Sequence, residues 1–232
     1  MKLGLMQPYF FPYLPYWKLI SAVDTYVIYD DVNFIKNGFI NRNYILLNNC
    51  PHVFTIPLSQ ASPNKIIKDI ELSKEPNKIK KILKTIQSSY GRAPYFKNVY
   101  PFIEKFILTE DKYIVTPLVA HIREISSYLE METNILLSSQ LNKNNEKKGE
   151  EKVIDICKLL QADVYINAIG GKGLYSKENF AEAGIELNFI SSEPFAYEQF
   201  GKSFVPNLSL IDVLMFNSKE KVIKELNNYE LI

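Results

Sequence analysis

The chain is short of the residues on which familiar catalytic motifs depend. It has two cysteines, two histidines and one tryptophan in 232 residues. Cys50 and Cys157 lack metal-ligand or redox spacing, which fits free thiols in a reducing compartment. Two histidines without a cysteine cluster argue against structural zinc, and no metal site is expected. Net charge is +1, so no general electrostatic footprint points to nucleic acid or an anionic membrane. No apolar run reaches the roughly 18 residues of a membrane span. Met1-Lys2-Leu3 leads straight into an apolar strand, without the core and cleavage site of a signal peptide. A soluble, cytoplasmic protein is the expectation, with its oligomeric state left open.

Aromatics, by contrast, are abundant: fifteen tyrosines and fourteen phenylalanines. Hydrophobic residues make up 47% and charged residues 23%, as in an ordinary globular domain able to bury a core. The aromatic excess suits either a sugar-binding cleft or an aromatic-rich core. It concentrates at the start, where the apolar run Leu3–Met6 enters Gln7-Pro8-Tyr9-Phe10-Phe11-Pro12-Tyr13-Leu14-Pro15-Tyr16-Trp17. Pro8, Pro12 and Pro15 fix φ and donate no backbone hydrogen bond, so they hold this turn in one shape. Such a turn after a strand either presents rings to a ligand or plugs one end of the core.

Apolar patterning predicts strands at 2–6, 25–30, 53–57, 66–71, 134–137, 163–167 and 186–190. It predicts helices at 16–23, 150–160, 177–183, 208–216 and 218–228. From Glu75 the period becomes helical, with Ile79, Ile82, Leu83 and Ile86 in phase, and helices follow at 98–108 and 112–131. Strands alternating with crossover helices predict an α/β fold: a three-layer, mostly parallel, Rossmann-like sheet. Strand 2–6 should lie centrally, between 25–30 and 163–167. Residues 1–74 and 134–232 would form the ligand-binding core, with 75–133 an α-helical insertion or cap. Leu141–Glu151 reads as a polar connector.

Several groups could carry chemistry. Asp30 and Asp31 end a strand; either is a candidate general base or sugar ligand, or a cap for the next turn. Lys36, Asn41 and Arg42 follow on the next loop, where cations suit a phosphate or carboxylate, and Arg42 or Lys36 is the expected charged neighbour of the aspartates; solvated surface charge is the alternative. His121 is a candidate acid–base group or a buried hydrogen-bonder, and His52 reads as packing at a strand rim. Ser138, Ser139 and Gln140 follow a strand and offer hydroxyls and an amide, without the Gly-x-Ser-x-Gly elbow of a serine hydrolase. Gly170-Gly171-Lys172-Gly173-Leu174-Tyr175 reads as a ligand-contacting loop or a plain connector; it is neither a dinucleotide fingerprint nor a Walker loop. Asn207 is a helix N-cap candidate that could equally line the site, and Arg92 and Tyr95 could reach it from the helical segment. Tyr9, Tyr13, Ser139, Gly171 and Tyr175 are expected to border one pocket roofed by 75–133.

In the same order along the chain stand Gln7-Pro8-Tyr9-Phe10-Phe11-Pro12-Tyr13, Tyr29-Asp30-Asp31-Val32, Asn41-Arg42-Asn43, Tyr90-Gly91-Arg92-Ala93-Pro94-Tyr95-Phe96, Ser138-Ser139-Gln140-Leu141 and Phe204-Val205-Pro206-Asn207-Leu208-Ser209. This succession resembles the WbqC-like family, named after proteins encoded in bacterial O-antigen gene clusters. The resemblance implies a role in surface-polysaccharide (O-antigen, lipopolysaccharide) and amino-sugar pathways. There an amide-forming acyl or aminoacyl transfer to a nucleotide-linked amino sugar is the expected reaction. Binding of a nucleotide-sugar or glycan precursor without catalysis is the alternative. The resemblance also favours Arg42 as a substrate ligand, and Gln7 in the first matching segment is a further candidate. The opening layout is similar to that of nucleotidylyltransferases and pantothenate synthetase, which place a His-x-Gly-His tetrad after the first strand, and this similarity implies a HUP-type α/β fold. Tyr13-Leu14-Pro15-Tyr16 stands there instead, without imidazoles, so ATP use is not implied and the donor is not identified.

Overall fold

Main-chain pairing follows from where the apolar runs fall, and the computed structural model describes it for residues 1–232. In chain order the strands are β1 (Lys2–Met6), β2 (Thr25–Ile28), β3 (Arg42–Leu47), β4 (Cys50–Thr55), β5 (Leu58–Ser59), β6 (Glu71–Leu72), β7 (Asn134–Leu137), β8 (Val164–Ala168), β9 (Glu186–Ser191) and β10 (Glu230–Leu231). The helices are α1 (Leu14–Ser21), α2 (Pro76–Tyr90), α3 (Phe96–Ile107), α4 (Val115–Tyr128), α5 (Gly149–Leu159), α6 (Lys177–Glu182), α7 (Leu210–Phe216) and α8 (Lys219–Leu226).

Six strands make one sheet in the order β10-β9-β8-β1-β2-β7, parallel except for β10. Strand β1 sits centrally between β2 and β8, as its uninterrupted apolar run requires in a sheet covered on both faces. The chain runs outward from β1 through β2 to β7, then returns across the sheet to β8 and β9. Strand order therefore reverses between β1 and β8, and α/β sheets bind ligands beyond the carboxyl ends of the strands at such a reversal.

One face of the sheet packs on a core of 43 buried residues that includes side chains of α1–α4, α7 and α8. The opposite face has 12 buried residues, including side chains of α5 and α6. The helices at 76–128 thus share the larger core with the sheet. No helix is long and apolar enough to cross a membrane.

Two predicted strands differ. The run expected at 53–57 is the end of β4, which pairs antiparallel with β3, a strand the patterning did not announce. Residues 66–71 hold instead a 3₁₀ turn at Ile67–Asp69 followed by the two-residue β6. Ile67 and Ile70 there are buried under the larger core, so the apolar signal was real but its period was misread.

Candidate functional site

Tyr29-Asp30-Asp31 leaves the carboxyl end of β2 beside Ser138-Ser139 at the end of β7, because these strands are hydrogen-bonded neighbours in register. Asp30 is buried. Its carboxylate accepts from the Ser139 amide at 2.9 Å and the Ser139 hydroxyl at 2.6 Å. Asp31 turns instead toward Lys143, 2.8 Å away, and Lys152, 3.1 Å away. The three side chains are 10%, 1% and 8% exposed, so two cations share one carboxylate almost out of water. Burial alone would raise the Asp31 carboxyl, but hydrogen bonds from Lys143, Ser138 and Lys152, with the Lys152 charge, hold it below its ordinary value. Lys143 also donates to the Ser138 carbonyl, and Lys152 lies 5.1 Å from the centre of the Tyr29 ring. Ser138 Oγ and Asp31 Oδ1 are buried without a well-formed partner, although Ser138 lies close enough to help lower the Asp31 carboxyl.

The expectation that Arg42 or Lys36 would neighbour the aspartates is overturned. Arg42 donates instead to the carbonyls of Gly38 and Asn37, closing its own turn, and Lys36 is exposed. Asn41 is likewise spent on the backbone, bonded to the Ile56 carbonyl at 2.9 Å.

The aromatic turn after β1 is held from several sides. Phe11 takes φ 43°, a left-handed conformation costly for a side chain with a Cβ. Asn43 donates to the carbonyls of Phe10 at 3.0 Å and Phe11 at 2.8 Å. Ser209 Oγ donates to the Phe11 carbonyl at 2.6 Å, and Trp17 to that of Pro12 at 3.0 Å. Tyr13 projects from this turn between two hollows. One, of about 430 Å³, lies against Phe39, Asn43 and Tyr44; the other, of about 110 Å³, lies against Lys18, Glu193 and Tyr197. Asn207 borders both. It is exposed at φ 59° and is not the helix cap; Ser209 caps α7.

Neither hollow beside Tyr13 reaches Ser139, Gly171 or Tyr175, the residues expected to share one pocket with it. Tyr9 packs against Tyr16 and Phe39, at 5.4 and 5.6 Å between ring centres. Tyr175 packs edge-on to Tyr165 and Phe180 in the smaller core. Gly171 is buried, and a Cβ there would meet Asn167 Oδ1 at 2.8 Å, so the glycine is needed for packing. Gly170 opens onto empty space and Gln140 is exposed. Gln7 keeps Oε1 buried without a partner near the reversal point.

His121 does not join the aspartates. Its ring lies tilted with its centre 3.8 Å from that of Phe11 and packs edge-on to Trp17 and Phe106, with both ring nitrogens unpartnered. Burial pushes its pKa down to about 3, which keeps it neutral at ordinary pH. Lys143 and Lys152 were missed because nothing local marks them; they meet Asp31 from 112 to 121 residues away. Asn43, by contrast, stood in the quoted Asn41-Arg42-Asn43 run.

The model of the WbqC-like protein family matches residues 7–224. An uncharacterized protein, Rv1507c, of Mycobacterium tuberculosis is 23% identical over 224 residues, covering 93% of each chain. No solved structure matches. The chain belongs to the WbqC-like protein family.

Proposed function

We propose that the protein acts in bacterial surface-glycan synthesis, transferring an acyl or aminoacyl group to the amine of a nucleotide-linked amino sugar. The observation that carries this reading is the paired arrangement at the ends of β2 and β7: Asp30 on Ser139, and Asp31 between two buried lysines. In this reading the substrate ammonium gives its proton to Asp30 through the half-buried Ser139 hydroxyl. The freed amine then attacks the donor carbonyl carbon. Lys143 and Lys152 supply positive charge for the developing oxyanion or a substrate phosphate, and the donor's leaving group departs with the second amine proton as the amide forms. Residues 75–133 serve as a helical cap on a core of 1–74 and 134–232.

Incubation with amino-sugar nucleotides and candidate acyl or aminoacyl donors, read by mass spectrometry, tests the reaction. Product that is lost in Asp30→Asn while nucleotide-sugar binding persists supports transfer. A second reading, a non-catalytic carrier of a glycan precursor, draws on the dispersal of Arg42 and His121 away from the cluster. Binding of the nucleotide-sugar with no product from any donor favours that reading.

A further inference from the structure

The larger hollow beside Tyr13 has a wall chemistry unlike that of the charged cluster. No aspartate, glutamate, lysine or arginine lines it. Its faces are the rings of Tyr13, Phe39 and Tyr44 with Pro51 and Pro206. Asn43, at its floor, has its amide committed to the Phe10 and Phe11 carbonyls and its oxygen to the Tyr44 amide at 2.8 Å. The Asn207 side chain makes no hydrogen bond within the protein and is exposed at the rim. Flat apolar walls, phenol hydroxyls and one free amide suit a ligand with apolar faces and polar edges. They do not suit an anion, which would find no counter-charge. A volume of about 430 Å³ falls within the roughly 300–1,000 Å³ typical of small-molecule sites.

The walls are also fixed relative to one another. The Ser209 amide donates to the Tyr44 carbonyl at 2.8 Å, and the Leu210 amide to that of Pro12 at 3.0 Å. Tyr13 and Ser209 pair as an isolated antiparallel bridge. A ligand entering here therefore meets a shaped surface and orders little on binding.

We propose that this cleft is a carbohydrate subsite that seats an uncharged pyranose ring between Tyr13, Phe39 and Tyr44, with the Asn207 amide on its hydroxyls. The subsite is independent of the Asp31 cluster, so it stands whether or not the transfer reaction above is correct.

The test titrates the full chain with glucose and with N-acetylglucosamine, followed by saturation-transfer NMR and calorimetry. Saturable binding in the millimolar range is expected, weakened about tenfold in Tyr44→Ala. Asn207→Gly keeps the left-handed backbone and removes only the amide, and it should weaken binding several-fold with an unchanged melting temperature. Lys152→Met should leave both titrations unaltered, even where it abolishes turnover of a nucleotide-sugar. The proposal is overturned if neither sugar saturates, if both cleft variants bind as the native protein does, or if hexanoate occupies the cleft while the sugars do not.

Discussion

Two carboxylates largely withdrawn from water, Asp31 and Asp212, are stabilised in opposite ways. Asp31 keeps its charge because Lys143 and Lys152 stand against it. Asp212, fully buried on α7, has no cation. It accepts from Tyr90 at 2.8 Å and from Tyr197 and Gln199 at 2.6 Å each. Burial outweighs those three bonds and raises the Asp212 carboxyl, whereas the lysines leave Asp31 lowered. The difference separates two jobs. A carboxylate with excess positive charge beside it leaves charge to offer a ligand. One enclosed by neutral donors fastens a loop, here the 192–209 segment that walls the smaller hollow beside Tyr13.

The sharpest break of this contrast is Asp31→Ala. It strands two nearly buried ammonium groups and should cost about 3–5 kcal/mol in urea unfolding. Adding Lys143→Met to that variant should restore part of the loss. Asp212→Ala should cost somewhat less, about 2–4 kcal/mol, because the three donors left behind are uncharged. Equal losses in the two alanine variants, or a larger loss at Asp212, would erase the distinction.

The same contrast has a pH form. The lowered Asp31 gives stability that is present above its unfolded value of 3.8 and lost as pH falls through its folded value. The raised Asp212 does the reverse, giving stability that is lost as pH rises from 3.8 through its folded value. Asp212→Asn should thus flatten the stability profile just above 3.8 and Asp31→Asn just below it, with their order measurable by denaturant melts across pH. His121 adds a third case. Its folded value of about 3 against 6.5 means stability drains as pH falls between those values, so His121→Phe should recover at least about 2 kcal/mol at the acid end. No change in acid sensitivity in that variant would mean the imidazole finds a partner in solution.

The smallest expected stability effect is that of Lys152→Met. It leaves a one-to-one pair between Asp31 and Lys143 and keeps an apolar stem against Tyr29, so unfolding should shift by less than about 1 kcal/mol. Binding of a nucleotide-sugar should nonetheless fall about tenfold or more if the excess charge serves a phosphate. Unaltered nucleotide-sugar binding would return the second lysine to a purely structural role.

The sheet was legible in the sequence because β1, β2 and β8 are apolar runs with crossover helices between them, and buried parallel strands leave that trace. The β3–β4 hairpin was not, because β4 is mostly exposed and carries Pro51 and His52 in place of alternation. A signal was present all the same: Asn48 and Asn49 both take positive φ, 52° and 59°, as a two-residue hairpin turn requires. In the candidate site, Asp30, Asp31 and Ser139 could be read because each follows the end of a strand. Arg42 was misread because a cation near an acidic pair in sequence need not face it in space. Asp212 lay unnoticed within an ordinary helical pattern, where only the tertiary fold brings Tyr90 and Tyr197 to it.

The clamp on the aromatic turn also sets an order of events during synthesis. Phe11 and Pro12 emerge from the ribosome early, but the Ser209 and Leu210 groups that bind their carbonyls lie about 198 residues later. Closing a loop of that length is late and entropically costly, so β1 and β2 can pair well before the turn acquires its left-handed residue. The turn and the clefts beside Tyr13 are therefore completed only when nearly the whole chain has been made. A nascent chain halted before Ser209 should leave the Phe11 region open to limited proteolysis, which a finished chain resists.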